Sequence, residues 1–148
     1  MESSITRPVP TPLYHFTHIS HLETVLAAGL RCDAAMQGTD ELVNEVGNLD
    51  VKQRRRGRQV PVSPFGVTAD YVPFYFAPRS PMMYAIHTGN VAQYSGGLDP
   101  LVYLVTTPEQ AAAAGRAYVI TDGNCASALT EFSADLADLD ELVDWSIM

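Results

Sequence analysis

The chain has 148 residues, 47% of them hydrophobic, a net charge of −8 and two cysteines, Cys32 and Cys125. These figures fit one soluble globular domain with room for a core, and they exclude a disulfide framework and a generally basic nucleic-acid binder. No apolar run reaches the roughly 20 residues of a membrane span, and Met1-Glu2-Ser3-Ser4 lacks the basic and apolar regions of a signal peptide, so the expected setting is cytoplasmic, without membrane contact.

Residues 1–12, with Pro8, Pro10 and Pro12, read as an irregular arm. Leu13 to Thr17 alternates like a short strand. A helix is expected from about Ser20, with Leu22, Val25 and Leu26 on one face and Gly29 as its stop. Leu30-Arg31-Cys32 extends briefly before a polar stretch from Asp33 to Asp40. Glu41 to Lys52 is weakly patterned, a broken helix or an ordered loop, and Pro61 to Pro64 marks a further loop.

Tyr71 to Phe76 is aromatic-rich and is expected to form a strand. Pro78-Arg79-Ser80-Pro81 then ends it and starts a helix, with Ser80 as N-cap and Pro81 at the first helical position. That helix is expected to end near Gly89-Asn90, and Tyr94 to Gly97 to turn. Leu101 to Val105 reads as a strand. Thr107 caps a helix from Pro108 to Ala114, with Gly115 after it. A strand over Ala117 to Thr121 closes at the turn Asp122-Gly123-Asn124, and Ala126 to Met148 is expected to be mostly helical. With no repeat and no linker, the pattern is α+β.

Charge is segregated. Five of the nine basic residues, Lys52, Arg54, Arg55, Arg56 and Arg58, fall within one segment of net +5, which leaves −13 for the rest of a chain whose total is −8. Such a segment reads either as a solvated turn or as a local anion site on a repelling body. Guanidinium groups grip phosphates in bidentate fashion, so four arginines beside a loop suit a pyrophosphate or a nucleic-acid backbone. Arg79 sits at a helix start, where N–H groups favour anions.

His15 and Thr17 share one strand face; His15 reads either as a ligand contact at a cleft rim or as a histidine satisfied by backbone. His18 and His21 lack acidic or thiol partners at helical spacing, so no metal site is expected. Nucleophile-elbow, P-loop and dinucleotide-fingerprint motifs are all missing.

Several segments together resemble one family, the DarT toxins, which are DNA ADP-ribosyltransferases of toxin–antitoxin systems. They are Tyr14-His15-Phe16-Thr17-His18-Ile19, the arginine-rich segment before Val60-Pro61, and Asp70 to Tyr84 with its Val-Pro-Phe-Tyr-Phe and Pro-Arg-Ser-Pro-Met runs. Ile86-His87, Gly89-Asn90, Tyr94-Ser95-Gly96-Gly97, Pro100-Leu101-Val102 and Thr121-Asp122-Gly123-Asn124 follow in order.

The resemblance implies an ADP-ribosyltransferase split β-sheet with flanking helices, NAD as co-substrate, and transfer of ADP-ribose to a base of single-stranded DNA. It implies that His15, Phe16 and Thr17 bind NAD, and places Thr24, Cys32, Tyr75 and Met82 near the same site. Arg55 matches the catalytic, NAD-contacting arginine, with Arg54 or Arg56 in its place on a slipped register. Arg54, Arg56, Arg79 and Asn124 fall to DNA, Asn124 at the start of the target-recognition loop. A macrodomain antitoxin is the implied partner. In the family a catalytic glutamate lies in a strand motif downstream of a segment like Leu142-Val143-Asp144-Trp145. Glu131 and Glu141 lack its flanks. The expectation is therefore the N-terminal two-thirds of such a domain, with weak NAD binding and severely reduced transfer. The alternatives are a non-catalytic nucleic-acid or nucleotide-binding remnant, and a transferase acting on RNA or protein.

Overall fold

The structure, a computed structural model, describes residues 5–37, 49–92 and 94–148. Strands β1 (Leu13–His18) and β2 (Leu101–Thr106) pair antiparallel, from Leu13 opposite Thr106 to His18 opposite Leu101. Both fall within a residue of their expected ends.

On the other edge of β1 the expected aromatic strand contracts to one bridge. Tyr14 and Tyr75 exchange both backbone hydrogen bonds, each 2.8 Å. The positions that would extend the ladder cannot donate to it. Pro73 has no N–H, and the Tyr71 N–H is spent on the Thr68 carbonyl (3.1 Å), closing a 3₁₀ turn over Thr68–Asp70.

Extended chain still alternates its side chains, and here that divides the core. Tyr75 packs against a cluster of Phe16, Ile86 and Val91, whereas Phe76 packs against a second cluster of Ile120, Leu139, Val143 and Trp145. Phe16 lies 6.2 Å from Tyr75 in a stacked arrangement, and the Phe76 ring meets Trp145 edge-on at 5.5 Å.

A 3₁₀ turn, Ile19–His21, leads into α1 (Leu22–Ala28), which stops at Gly29 with φ 79° as expected. Its expected apolar face is covered only in part: Leu22 and Val25 are half-buried, whereas Leu26 is 79% exposed. The polar stretch begins as a short helix, α2 (Asp33–Met36). Residues 38–48, which include most of the weakly patterned segment, lie outside the described residues.

The segment's end is helical: α3 spans Leu49–Arg56. Arg54, Arg55 and Arg56 therefore form the last turn of a helix, not a loop, where cations favour the exposed carbonyls. Asp33 ties α2 to α3, accepting from Arg56 Nε at 2.5 Å and lying 3.5 Å from Lys52 Nζ. Burial raises the Asp33 pKa, but the bonds and charges of Arg56 and Lys52 outweigh it and hold the carboxyl below its usual range.

Helix α4 (Pro81–His87) begins as its sequence dictates: Ser80 is extended, and its Oγ accepts from the Met83 N–H at 3.2 Å. Helix α5 (Pro108–Ala113) repeats the device with Thr107 and Gln110 at 3.0 Å. The strand expected over Ala117 to Thr121 shortens to β3 (Ile120–Thr121), which pairs with β4 (Phe132–Ser133).

The C-terminal segment is thus less helical than expected, holding β4, two 3₁₀ turns and the four-residue α6 (Leu139–Leu142). Asp135 and Asp144 accept from the N–H groups of Ala137 (2.9 Å) and Ser146 (3.0 Å), local bonds that compete with a continuous helix.

The N-terminal arm is irregular but fastened. Arg7 Nη1 donates to Thr11 Oγ1 (2.6 Å) and Glu109 Oε1 (2.5 Å), and Thr11 is fully buried. Arg7→Ala is expected to speed hydrogen exchange at Thr11 while β1 keeps its protection. Ser80→Ala, which removes a buried N-cap, should cost about 1 kcal/mol in urea unfolding.

Candidate functional site

The side chains of β1 separate two jobs. Phe16 points into the core, 8% exposed, between Tyr75 and an edge-on Tyr103 at 6.2 Å. His15 and Thr17 project from the opposite face. The predicted trio therefore divides, and only two of its side chains lie on the face away from the core.

His15 Nδ1 lies 2.7 Å from the carbonyl oxygen of Pro73. A carbonyl can only accept, so Nδ1 carries the proton and the neutral ring keeps Nε2 as an acceptor. Burial lowers the His15 pKa below its ordinary 6.5; the Pro73 bond opposes this, and the charge of Arg55 adds to it. Thr17 Oγ1 is 3.1 Å from Nδ1 of the buried His21.

The basic segment is mostly committed elsewhere. Arg56 and Lys52 meet Asp33, Arg54 Nε leans on the Asp50 carbonyl at 3.4 Å, and Arg58 Nη1 donates to the Ser127 carbonyl at 2.6 Å. Arg58 also lies over the Phe132 ring, 5.3 Å from its centre.

Among the described residues the Arg55 guanidinium has no hydrogen bond or ion pair. Its charge nevertheless acts on three groups, lowering the pKa of His15, Tyr75 and Cys125. For Tyr75 and Cys125 burial is the larger effect and leaves both raised. The backbone of Arg55 is held too, because its carbonyl accepts from Thr68 Oγ1 and the Arg58 N–H.

The site is therefore a meeting of β1, the segment of residues 73–76, the end of α3 and the loop after β3. Tyr75 Oη lies 3.6 Å from Met82 Sδ, so Met82 joins through α4. Cys125, half-buried on the loop after β3, was not legible in sequence, where it is one of two cysteines with no motif around it.

The remaining predicted residues stand differently. Thr24 and Cys32 are half-buried on and beside the first two helices, and no hydrogen bond among the described residues joins either to His15 or Arg55. Arg79 and Asn124 are exposed, and Asn124 Oδ1 accepts from the Ala126 N–H at 2.8 Å. Arg56 is turned to Asp33 and ties α3 to α2 by that ion pair. A cavity of about 290 Å³ opens elsewhere, between the N-terminal arm, Phe76 and Trp145, and contains none of the predicted site residues. No group of metal-binding side chains occurs among the described residues.

A neutral imidazole acceptor, an uncommitted guanidinium and aromatic neighbours in an α+β frame make up the candidate site. The profile of the family described as ssDNA thymidine ADP-ribosyltransferase, DarT, matches residues 14–148, and the chain belongs to that family.

A DNA ADP-ribosyl transferase of Thermus sp. (strain 2.9) is 39% identical over 140 residues, covering 95% of this chain and 65% of its own length. One from Mycobacterium tuberculosis is 37% identical over 146 residues, covering 96% and 61%. The chain thus spans 61–66% of the length of the curated relatives it matches.

Among solved structures, Thermus sp. 2.9 DarT in complex with ADP-ribosylated ssDNA superposes with TM-score 0.88 at 37% identity, over 97% of this chain and 66% of that one. The same protein in complex with NAD+ gives 0.82 at 37% identity, over 95% and 65%.

Because His15 has a lowered pKa in the folded chain, the unfolded chain binds its proton first as pH falls. Stability from His15 is thus complete above about pH 6.5 and declines below it. Urea unfolding at pH 7.5 and 5.5 should show a larger loss for the wild-type chain than for His15→Gln.

Proposed function

We propose that residues 1–148 form the NAD-binding part of a domain that transfers ADP-ribose from NAD to a base of single-stranded DNA, with the catalytic glutamate of the family belonging to a segment downstream of the one like Leu142-Val143-Asp144-Trp145. The observation that carries the proposal is Arg55, the one member of its basic segment whose guanidinium is uncommitted among the described residues, with its charge felt by His15 and Tyr75.

In this reading His15 Nε2 accepts from the nicotinamide ribose, and its neutral state suits that task because a cation there would oppose charge on the sugar. As nicotinamide leaves, its bond to the anomeric carbon breaks and positive charge develops on the ribose, as in glycoside cleavage. A nitrogen of the acceptor base then bonds to that carbon and gives up its proton to a general base, the part the family resemblance assigns to the downstream glutamate. Arg55 holds the dinucleotide by its phosphates and is the proposed catalytic residue. Thr17, Tyr75 and Met82 wall the cofactor, with Phe16 supporting them from the core and Thr24 and Cys32 as outer contacts. Arg54, Arg79 and Asn124 face the DNA. Single-stranded substrate suits the chemistry, because its bases are already unstacked.

The same reading gives the protein the toxin's part in a toxin–antitoxin pair, with a macrodomain hydrolase as partner. It draws support from the family match and from the Thermus relative, whose structures hold NAD+ and ADP-ribosylated ssDNA.

Calorimetric titration with NAD and mass spectrometry of single-stranded oligonucleotides incubated with NAD test it. Arg55→Ala should weaken NAD binding at least tenfold, the usual scale of a lost charge-assisted contact, and abolish transfer in a chain carrying the downstream segment with the glutamate, whereas Arg54→Ala should leave NAD binding unchanged. NAD binding without any mass gain on DNA would leave a binding module; no NAD binding at all would sink the proposal.

A further inference from the structure

The loop after the arginine helix holds one aromatic ring out in solvent. Gln59 and Val67 bridge antiparallel, the Val60 N–H donates to the Gly66 carbonyl at 2.9 Å, and the Thr68 N–H to the Arg58 carbonyl at 2.9 Å. At the tip, Phe65 and Gly66 both have positive φ, 63° and 79°. Hairpin turns ordinarily give such a pair of positions to Asn-Gly.

Gly66 suits its place by its positive φ, and a Cβ there would also lie 2.6 Å from Asp70 Oδ2 and displace the carboxylate that accepts from the Val67 N–H. Phe65 is not required by geometry, and among the described residues it is the sole non-glycine residue at positive φ. Glycine or asparagine would sit there with less strain.

The conformation is nonetheless locked. The Phe65 N–H donates to the Val62 carbonyl at 2.8 Å, and its carbonyl accepts from Tyr71 Oη at 2.6 Å. Burial does not offset the strain, because Phe65 is 59% exposed. A strained, over-determined residue whose side chain faces water points to a ligand.

The surroundings say which kind. The hairpin's root is the backbone of Arg55 itself, gripped by Thr68 Oγ1. Phe65 is three residues from Thr68, within about 10 Å by the reach of the chain. An exposed aromatic ring at the tip of the hairpin whose root is Arg55, with the exposed Arg54 on the helix before it, puts a stacking surface and phosphate-binding charge on one continuous segment, which is how single-stranded nucleic acid is held. Paired bases in a duplex present no free face to such a ring.

We propose that Phe65 is a stacking platform for an unpaired base of the strand whose acceptor base enters the Arg55 site. The proposal rests on the single-stranded DNA reading above and names a residue that neither the sequence motifs nor the predicted site included.

The test is anisotropy of a short fluorescein-labelled single-stranded oligonucleotide titrated with the whole chain at low and moderate salt, alongside thermal melts. Phe65→Gly relieves the positive φ, so its melting temperature should rise while affinity falls about tenfold, the scale of one lost base–aromatic stack. Phe65→Leu keeps the bulk and apolarity without the π face and should fall as far; Phe65→Tyr should bind as wild type. The salt dependence should be the same in all four proteins, because the phosphate contacts remain.

Wild-type affinity in Phe65→Gly or Phe65→Leu, or an equal loss in Phe65→Tyr, would overturn the proposal. A wild-type chain that binds NAD but no oligonucleotide would overturn the DNA reading itself, and this inference with it.

Discussion

The two backbone hydrogen bonds between Tyr14 and Tyr75 are the constraint on which the rest of the structure turns. They fix a segment with only this one bridge to β1 against that strand, and so set what faces what. Phe16 and Tyr75 are brought into one cluster, while Phe76, one residue on, enters the other. The same pairing carries the Pro73 carbonyl to His15 Nδ1 and so selects the imidazole tautomer. Losing it would uncouple both cores and leave the histidine without an orienting partner.

Electrostatic commitment does the second half of the work. A run of five cations would repel itself and scatter into solvent, but Asp33 takes Lys52 and Arg56, Arg54 leans on the Asp50 carbonyl, and the loop after β3 and strand β4 take Arg58 through Ser127 and Phe132. What remains is one guanidinium whose backbone is pinned by Thr68 and whose charge is felt by a histidine, a tyrosine and a cysteine on three other elements. Of the segment read as either a solvated turn or a local anion site, one guanidinium is thus left uncommitted among the described residues, and the proposed function rests on it.

Local features were legible where they depend on a few adjacent residues. Ser80-Pro81 and Thr107-Pro108 start helices because the cap and the missing N–H act within one turn. The strands β1 and β2 follow from alternation. Elements whose state depends on distant partners were not. The stretch Tyr71–Phe76 has strand composition, yet Pro73 and the diverted Tyr71 N–H leave it one ladder rung. The arginine segment has no apolar face to announce a helix, and its packing on α2 comes through Asp33. The C-terminal segment has helical composition, but its aspartates bond their own backbone first.

The sequence by itself determined the family, the α+β class and the starts of α4 and α5, because motifs and caps are short-range. Only the tertiary structure decided that His15 faces away from Phe16's core with its Nδ1 protonated, that Arg55 rather than Arg54 or Arg56 is left uncommitted, and that Cys125 lies within reach of its charge. Each of those outcomes depends on which groups satisfy one another across the fold, and that pairing exists only once β1, α3 and the loop after β3 have come together.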